Sequence, residues 1–204
     1  NNDFVKLIKI VANKFARFYI FVIRGTPMMV QSLIFYYAIF NLFKRTGMSV
    51  TEINRVWSLF ISGLVTVSLN STAYLAEVLR GGILAVDAGQ MEAARSLGMT
   101  HWQAMRRVVF PQAIKNSLPA IGNEFIINIK DSSVLCVLGV SDLMFMTRSV
   151  AGIYYKGTEC YLIAATVYLF LTYLSSLLLK AITGRMTAPD NTKRRQGNQT
   201  VDLG

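Results

Sequence analysis

Apolar positions along the chain fall into four long blocks, 27–43, 57–79, 118–140 and 160–182, separated by segments rich in Lys and Arg. Blocks near the roughly 20 residues that a bilayer-crossing helix needs predict four membrane spans. No segment keeps the period-two alternation of a membrane barrel. The pattern therefore reads as all-α, a polytopic membrane helix bundle with four spans in this fragment. Ahead of the first block, Lys6, Lys9, Asn13 and Arg17 recur on one helical face of residues 4–23, with Val5, Ile8, Val11, Ala12 and Phe15 opposite. That spacing predicts an amphipathic helix, either lying in the membrane interface or forming the cytoplasmic end of a longer helix. Thr26 is the expected cap of the first span, with Pro27 at its first helical position.

Composition agrees with the pattern. The 204 residues are 53% hydrophobic and 16% charged, with mean hydropathy +0.42, against about 45–50% apolar and 25% charged in soluble domains. Of the 21 basic residues, five lie in each of three segments: 1–26, 80–117 and the stretch from Lys180 onward. Alternating spans place all three on one side, which the positive-inside rule makes cytoplasmic, so both ends are expected there. The net charge of +10 then follows from topology, and nucleic acid is not expected as a partner. The organisation expected is an N-terminal segment 1–26, a membrane domain 27–182 containing the loop 80–117, and a basic tail 183–204, disordered from Thr187. Cys136 and Cys160 have no ligand-type spacing, so neither a metal site nor a disulfide framework is expected. The chain opens on Asn1 without a leader peptide, which reads as a fragment or processed chain lacking an upstream helix.

The third block contains Asn123, Glu124, Asn128, Lys130 and Asp131. Charges near the bilayer centre cost roughly 2.5–3.5 kcal/mol each, so this helix cannot face lipid all round. Glu124, Asn128 and Asp131 share one face by their i, i+4, i+7 spacing, whereas Lys130 points elsewhere and requires a partner from another helix. In the second block Asn70, Tyr74 and Glu77 repeat the spacing, with Ser71 and Thr72 beside them. Two polar faces predict either a lined substrate pathway or groups that pair inside a static bundle.

The loop 80–117 carries two helix starts: Asp87 with Gln90, and Thr100 with Gln103, each spaced as a capping box. A short helix is expected over 88–97, stopped by Gly98 in a left-handed turn, and Pro111 is expected to limit the second helix. His101, beside Trp102, reads as a surface or packing residue. No HExxH, GxSxG or GxxxxGK[ST] is present.

Within this loop, Glu92-Ala93-Ala94 followed by Gly98 in EAARSLGMTHWQAMRRVVFPQAI resembles the EAA loop of binding-protein-dependent ABC importer permeases. Arg24-Gly25-Thr26-Pro27, Val30-Gln31, NSTAYLAEVLRGGI from Asn70 and GNEFIINIKDSS from Gly122 stand in the order of that family's polar amino-acid branch. The resemblance runs from about Tyr19 to Leu179. Two positions depart from it: Phe21 stands where an acidic residue is usual, and Ala88 where a proline is common. The resemblance implies a non-enzymatic permease subunit in the bacterial inner membrane, paired with itself or a sister chain. Two ATPase subunits would dock from the cytoplasm, and a solute-binding protein would deliver the substrate from outside. Glu92, Ala93, Ala94, Leu97 and Gly98 would contact the ATPase, which would bind ATP and Mg, so no cofactor is expected in this chain. Nucleotide would drive alternating access. The expected pathway residues are Asn70, Ser71, Tyr74, Glu77, Glu124, Asn128, Lys130 and Asp131. Glu124 favours a cationic amino acid (arginine, lysine or histidine), with glutamine or another polar amino acid next. The rival class is an ion-coupled carrier or channel using Glu77, Glu124, Lys130 and Asp131 as a relay.

Overall fold

The computed structural model describes residues 2–186, all of them in helices and short connections; the disordered tail expected from Thr187 lies outside them. The order is α1 (Asn2–Gly25), α2 (Met28–Arg45), α3 (Val50–Val56), α4 (Leu59–Leu84), α5 (Ala88–Ser96), α6 (His101–Ala104), α7 (Phe110–Asp131), α8 (Leu143–Tyr154) and α9 (Gly157–Met186). A π-helical stretch, Met105–Val109, joins α6 to α7, and a 3-10 turn, Ser132–Val137, follows α7.

Helices α4 and α7 pack antiparallel as the centre of the bundle. Gly82 makes the contact close, because a Cβ there would overlap Ser117 Oγ and lie 2.7 Å from the Ala113 carbonyl. Ser117 Oγ donates to the Ala113 carbonyl at 2.8 Å and reaches toward that of Val78. Farther along, Asn128 Nδ2 donates to Ser71 Oγ at 2.8 Å, and Leu135 closes over Gly63. Small residues and side-chain amides at these crossings are what membrane helices use where no hydrophobic effect draws them together. Gly122 opens the other side of α7 to Leu179 of α9.

Several expectations change. Among the described residues, Leu59–Leu84 and Gly157–Gly184 are long and apolar enough to cross a membrane; the number rises to three if α1 and α2, bent by 113°, form one span. The expected span 118–140 is not one helix. It breaks at Asp131, where Ser132 Oγ donates to the Ile129 carbonyl at 3.1 Å and the ladder tightens to 3-10, the local competition that serine hydroxyls offer a helix. Gly139, at φ +92°, then ends the turn, with the Val140 N–H on the Leu135 carbonyl. Pro111 does not end the second loop helix. The chain passes through it into α7, and the Phe110 N–H bonds the Met105 carbonyl five residues back. The wider π turn precedes the proline and is where the continuous helix accommodates a residue with no N–H to donate.

Thr26 is not the cap of α2. The cap position is Pro27, with no side-chain bond, and Thr26 Oγ1 donates back to the Val22 carbonyl at 2.8 Å. Asp87 does cap α5, but its carboxylate accepts from the Gly89 N–H at 2.7 Å and forms no box with Gln90. The Thr100–Gln103 box forms as expected. A further box, Ser49–Glu52, opens α3. There, hydrogen bonds from the Ser49 hydroxyl and backbone N–H hold the Glu52 carboxyl below the usual carboxylate range.

Candidate functional site

The bend between α1 and α2 is where the sequence builds a polar site. Gly25 leaves the corner without a side chain, and Gln31, only 5% exposed, pins it from the far side. Its amide nitrogen donates to the Ile23 carbonyl (2.7 Å), the Thr26 carbonyl (2.9 Å) and Thr26 Oγ1 (2.8 Å). Its oxygen accepts from Asn70 Nδ2 of α4 at 3.3 Å. A buried amide with its donors and acceptor engaged fixes both the bend and the rotamer of Asn70. Tyr19 adds a second tie, its hydroxyl donating to the Leu69 carbonyl at 2.5 Å.

This corner, α4 and α7 enclose a cavity of about 420 Å³ lined by Arg24, Thr26, Asn70, Tyr74, Glu124 and Asp131, among others. The Arg24 guanidinium lies 5.2 Å from the Tyr74 ring centroid and 3.8 Å from Glu77. Glu77 also takes a 2.6 Å ion pair from Arg80. The cavity thus holds one guanidinium, two carboxylates, an amide and a phenol, a set able to bind both ends of a zwitterion.

The expected pathway residues divide. Asn70, Tyr74, Glu124 and Asp131 meet at the cavity. Glu77 faces an adjoining cleft with Arg17 and Arg24. Ser71 and Asn128 bond each other between α4 and α7, as the static-bundle alternative had it for those two. Lys130 is exposed and, among the described residues, makes no ion pair; the helix-borne partner expected for it is not there. Arg24, Thr26 and Gln31 belong to the site and were missing from the expected set. Their signal was the Arg-Gly-Thr-Pro run followed by Gln31, a breaker motif flanked by a charge and an amide.

At the end of α4, the loop presents α5. Ala94 is buried at 4% exposure, whereas Glu92, Ala93 and Gly98 are exposed and Leu97 is 82% exposed. Gly98 takes φ +82°. The Gly98 and Met99 N–H groups bond the Arg95 and Ala94 carbonyls at 3.0 and 3.2 Å, closing a Schellman motif. Gln112 Nε2 donates to Gln90 Oε1 at 3.2 Å, fastening α5 to the first turns of α7. Trp102, 70% exposed, stands on the next helix. An apolar side chain this exposed beside a charge is suited to a protein partner.

The chain is similar to several known amino-acid permeases. The glutamine transport system permease protein GlnP of Escherichia coli (strain K12) is 34% identical over 176 residues, 86% of this chain and 76% of that protein. The probable amino-acid permease protein YxeN of Bacillus subtilis (strain 168) is 37% identical over 182 residues, 89% and 78% of the two. The nopaline transport system permease protein NocM of Agrobacterium fabrum is 34% identical over 173 residues, 83% and 70%. A crystal structure of an amino acid ABC transporter with histidines superimposes with a TM-score of 0.73 at 45% identity, covering 89% of this chain and 78% of that one. The family described as the binding-protein-dependent transport system inner membrane component matches residues 7–188. The all-α membrane permease and the importer family expected from the EAA loop are both met, and the chain belongs to that family.

Proposed function

We propose that this chain is the permease of an ATP-driven importer of polar amino acids, with a preference for cationic ones. The observation that carries the reading is the cavity at the α1–α2 bend. Glu124 and Asp131 outnumber Arg24 among its charged lining groups, so a substrate with an extra positive charge balances the site, whereas a neutral zwitterion leaves one carboxylate unpaired. In this reading Arg24 and Asn70 receive the α-carboxylate, and Glu124 and Asp131 receive the ammonium and the cationic side chain. A carboxylate that the bound substrate leaves without a counter-charge costs affinity, which turns charge count into selectivity.

The ATPase docks on Glu92, Ala93 and Leu97, with Ala94 and Gly98 shaping the helix end behind them. ATP and Mg are held by that partner, a solute-binding protein supplies substrate from the opposite face, and nucleotide-driven closure alternates access. Support for the coupling role is the combination of a well-capped helix with its apolar end exposed.

The test is competitive uptake of arginine and glutamine by the assembled transporter carrying Glu124→Gln. The expected result is a fall of about tenfold in the arginine-to-glutamine ratio, the loss of about 1.4 kcal/mol from one charged contact. An unchanged ratio rejects the cationic assignment.

A further inference from the structure

Arginines gather where α1 meets α4. A cleft of about 400 Å³ there is lined by Arg17, Ile20, Phe21, Arg24, Gly25 and Glu77. Glu77 is its one carboxylate, and Arg24 at 3.8 Å and Arg80 at 2.6 Å already share it. Arg17 makes no ion pair among the described residues, so three guanidiniums stand around a single acid. Such a surplus attracts an anion with several oxygens, and the planar fork of arginine matches phosphate in particular.

The same cleft has an apolar rim. Phe21 is 77% exposed beside the arginines, and Phe18, one turn earlier on α1, is 65% exposed. A free inorganic anion gains nothing from these rings, whereas an acyl chain laid over them removes their surface from water. Toward its N-terminus α1 continues the same division, with Phe4, Val11 and Phe15 exposed on one side and Lys6, Lys9 and Arg17 on the other. A helix divided in this way rests in the membrane interface, its apolar side among acyl chains and its basic side at the headgroups. The positive-inside rule puts this end of the chain at the inner leaflet, where anionic lipids gather on basic segments.

We infer that the α1–α4 cleft is a binding site for one anionic phospholipid of the inner leaflet, its phosphate on Arg17 and its acyl chains over Phe18 and Phe21. Glu77 keeps its pairs with Arg24 and Arg80, whose remaining positive charge holds the headgroup in place. A headgroup bearing its own cation, such as choline, would bring a positive charge into a cleft that already has too many, so a phosphatidylglycerol-type headgroup is preferred. Arg24 lines both this cleft and the substrate cavity, which puts the lipid one side chain away from the transported molecule. The inference needs only the chain's place in the inner membrane, not the substrate assignment.

The test uses the full-length permease purified with its ATPase, exchanged into micelles holding equal amounts of phosphatidylglycerol and phosphatidylcholine, with retained lipids counted by native mass spectrometry. Wild type should retain phosphatidylglycerol in preference to phosphatidylcholine, and Arg17→Gln should lower its occupancy about tenfold, the effect of one lost charged contact. Lys180→Gln, at an exposed basic position on α9, should retain it. Arg17 is exposed, so the variant should unfold near the wild-type temperature. Should Arg17→Gln fail to assemble, Phe21→Glu decides by the same count, because a carboxylate at the rim competes with the phosphate. Equal retention of the two lipids by wild type overturns the inference, as does an occupancy that the deciding variant leaves unchanged. Loss of phosphatidylglycerol on adding millimolar inorganic phosphate overturns it in favour of a free anion.

Discussion

Arg24, in the last turn of α1, stands 3.8 Å from Glu77 of α4 while its guanidinium lies 5.2 Å from the Tyr74 ring centroid. One side chain thus joins the bent pair to the centre of the bundle and supplies the positive group of the cavity. Arg24→Gln should reduce uptake by tenfold or more, on the order of the 1.5–3 kcal/mol of a hydrogen bond to a charged group. Arg24→Lys keeps the charge but loses the planar fork and the ring contact, so it should restore only part of that activity. Initial uptake rates at matched expression check both, and wild-type rates in Arg24→Gln contradict the assignment.

Gln31 is the structural counterpart at the same corner. Gln31→Leu preserves volume but strands the carbonyls of Ile23 and Thr26 and frees Asn70. Buried polar groups left without partners cost about 1–3 kcal/mol each, so the detergent-solubilised protein should unfold at a clearly lower temperature. Gln31→Glu, which keeps the acceptor and loses the donors, should do no better.

Gly82 sets the approach of α4 to α7. Gly82→Ala should destabilise by about 1–3 kcal/mol, the usual cost of overpacking, because the new methyl meets Ser117 Oγ and the Ala113 carbonyl. Adding Ser117→Gly should recover part of the loss, since the overlap with the hydroxyl goes and the backbone contact stays. Thermal unfolding of the single and double variants measures the coupling directly.

Leu97→Asp separates coupling from folding. Leu97 is 82% exposed, so its replacement should leave the unfolding temperature near wild type while abolishing co-purification of the ATPase. Ala94→Asp, at a position 4% exposed, should instead destabilise the loop itself.

The legible parts were those decided locally. Helix α5, its stop at Gly98 and the Thr100–Gln103 box follow from residues within one or two turns of each other, and they formed where the spacing put them. The end of α7 at Asp131 was not legible from hydropathy, because residues 134–140 are as apolar as a span interior, and the serines that tighten the backbone add little polarity. Pro111 misled for a related reason: its effect depended on the π turn before it. At the site, the face shared by Glu124 and Asp131 was readable from helical periodicity. Arg24 and Gln31 were not, since their roles depend on a 113° bend that a Gly-Thr-Pro sequence permits without specifying. Asn128 and Ser71 show the converse: polar residues on the right face, used to hold two helices together.

Drive through α5 by a separate ATPase can be tested by purifying the tagged full-length protein from its native membranes beside a Glu92→Ala/Gly98→Pro variant. An ATPase should co-purify with the first, hydrolyse ATP faster when arginine-loaded binding protein is added, and be lost from the second. A permease that comes down alone, yet still moves amino acids in response to an ion gradient, would contradict it.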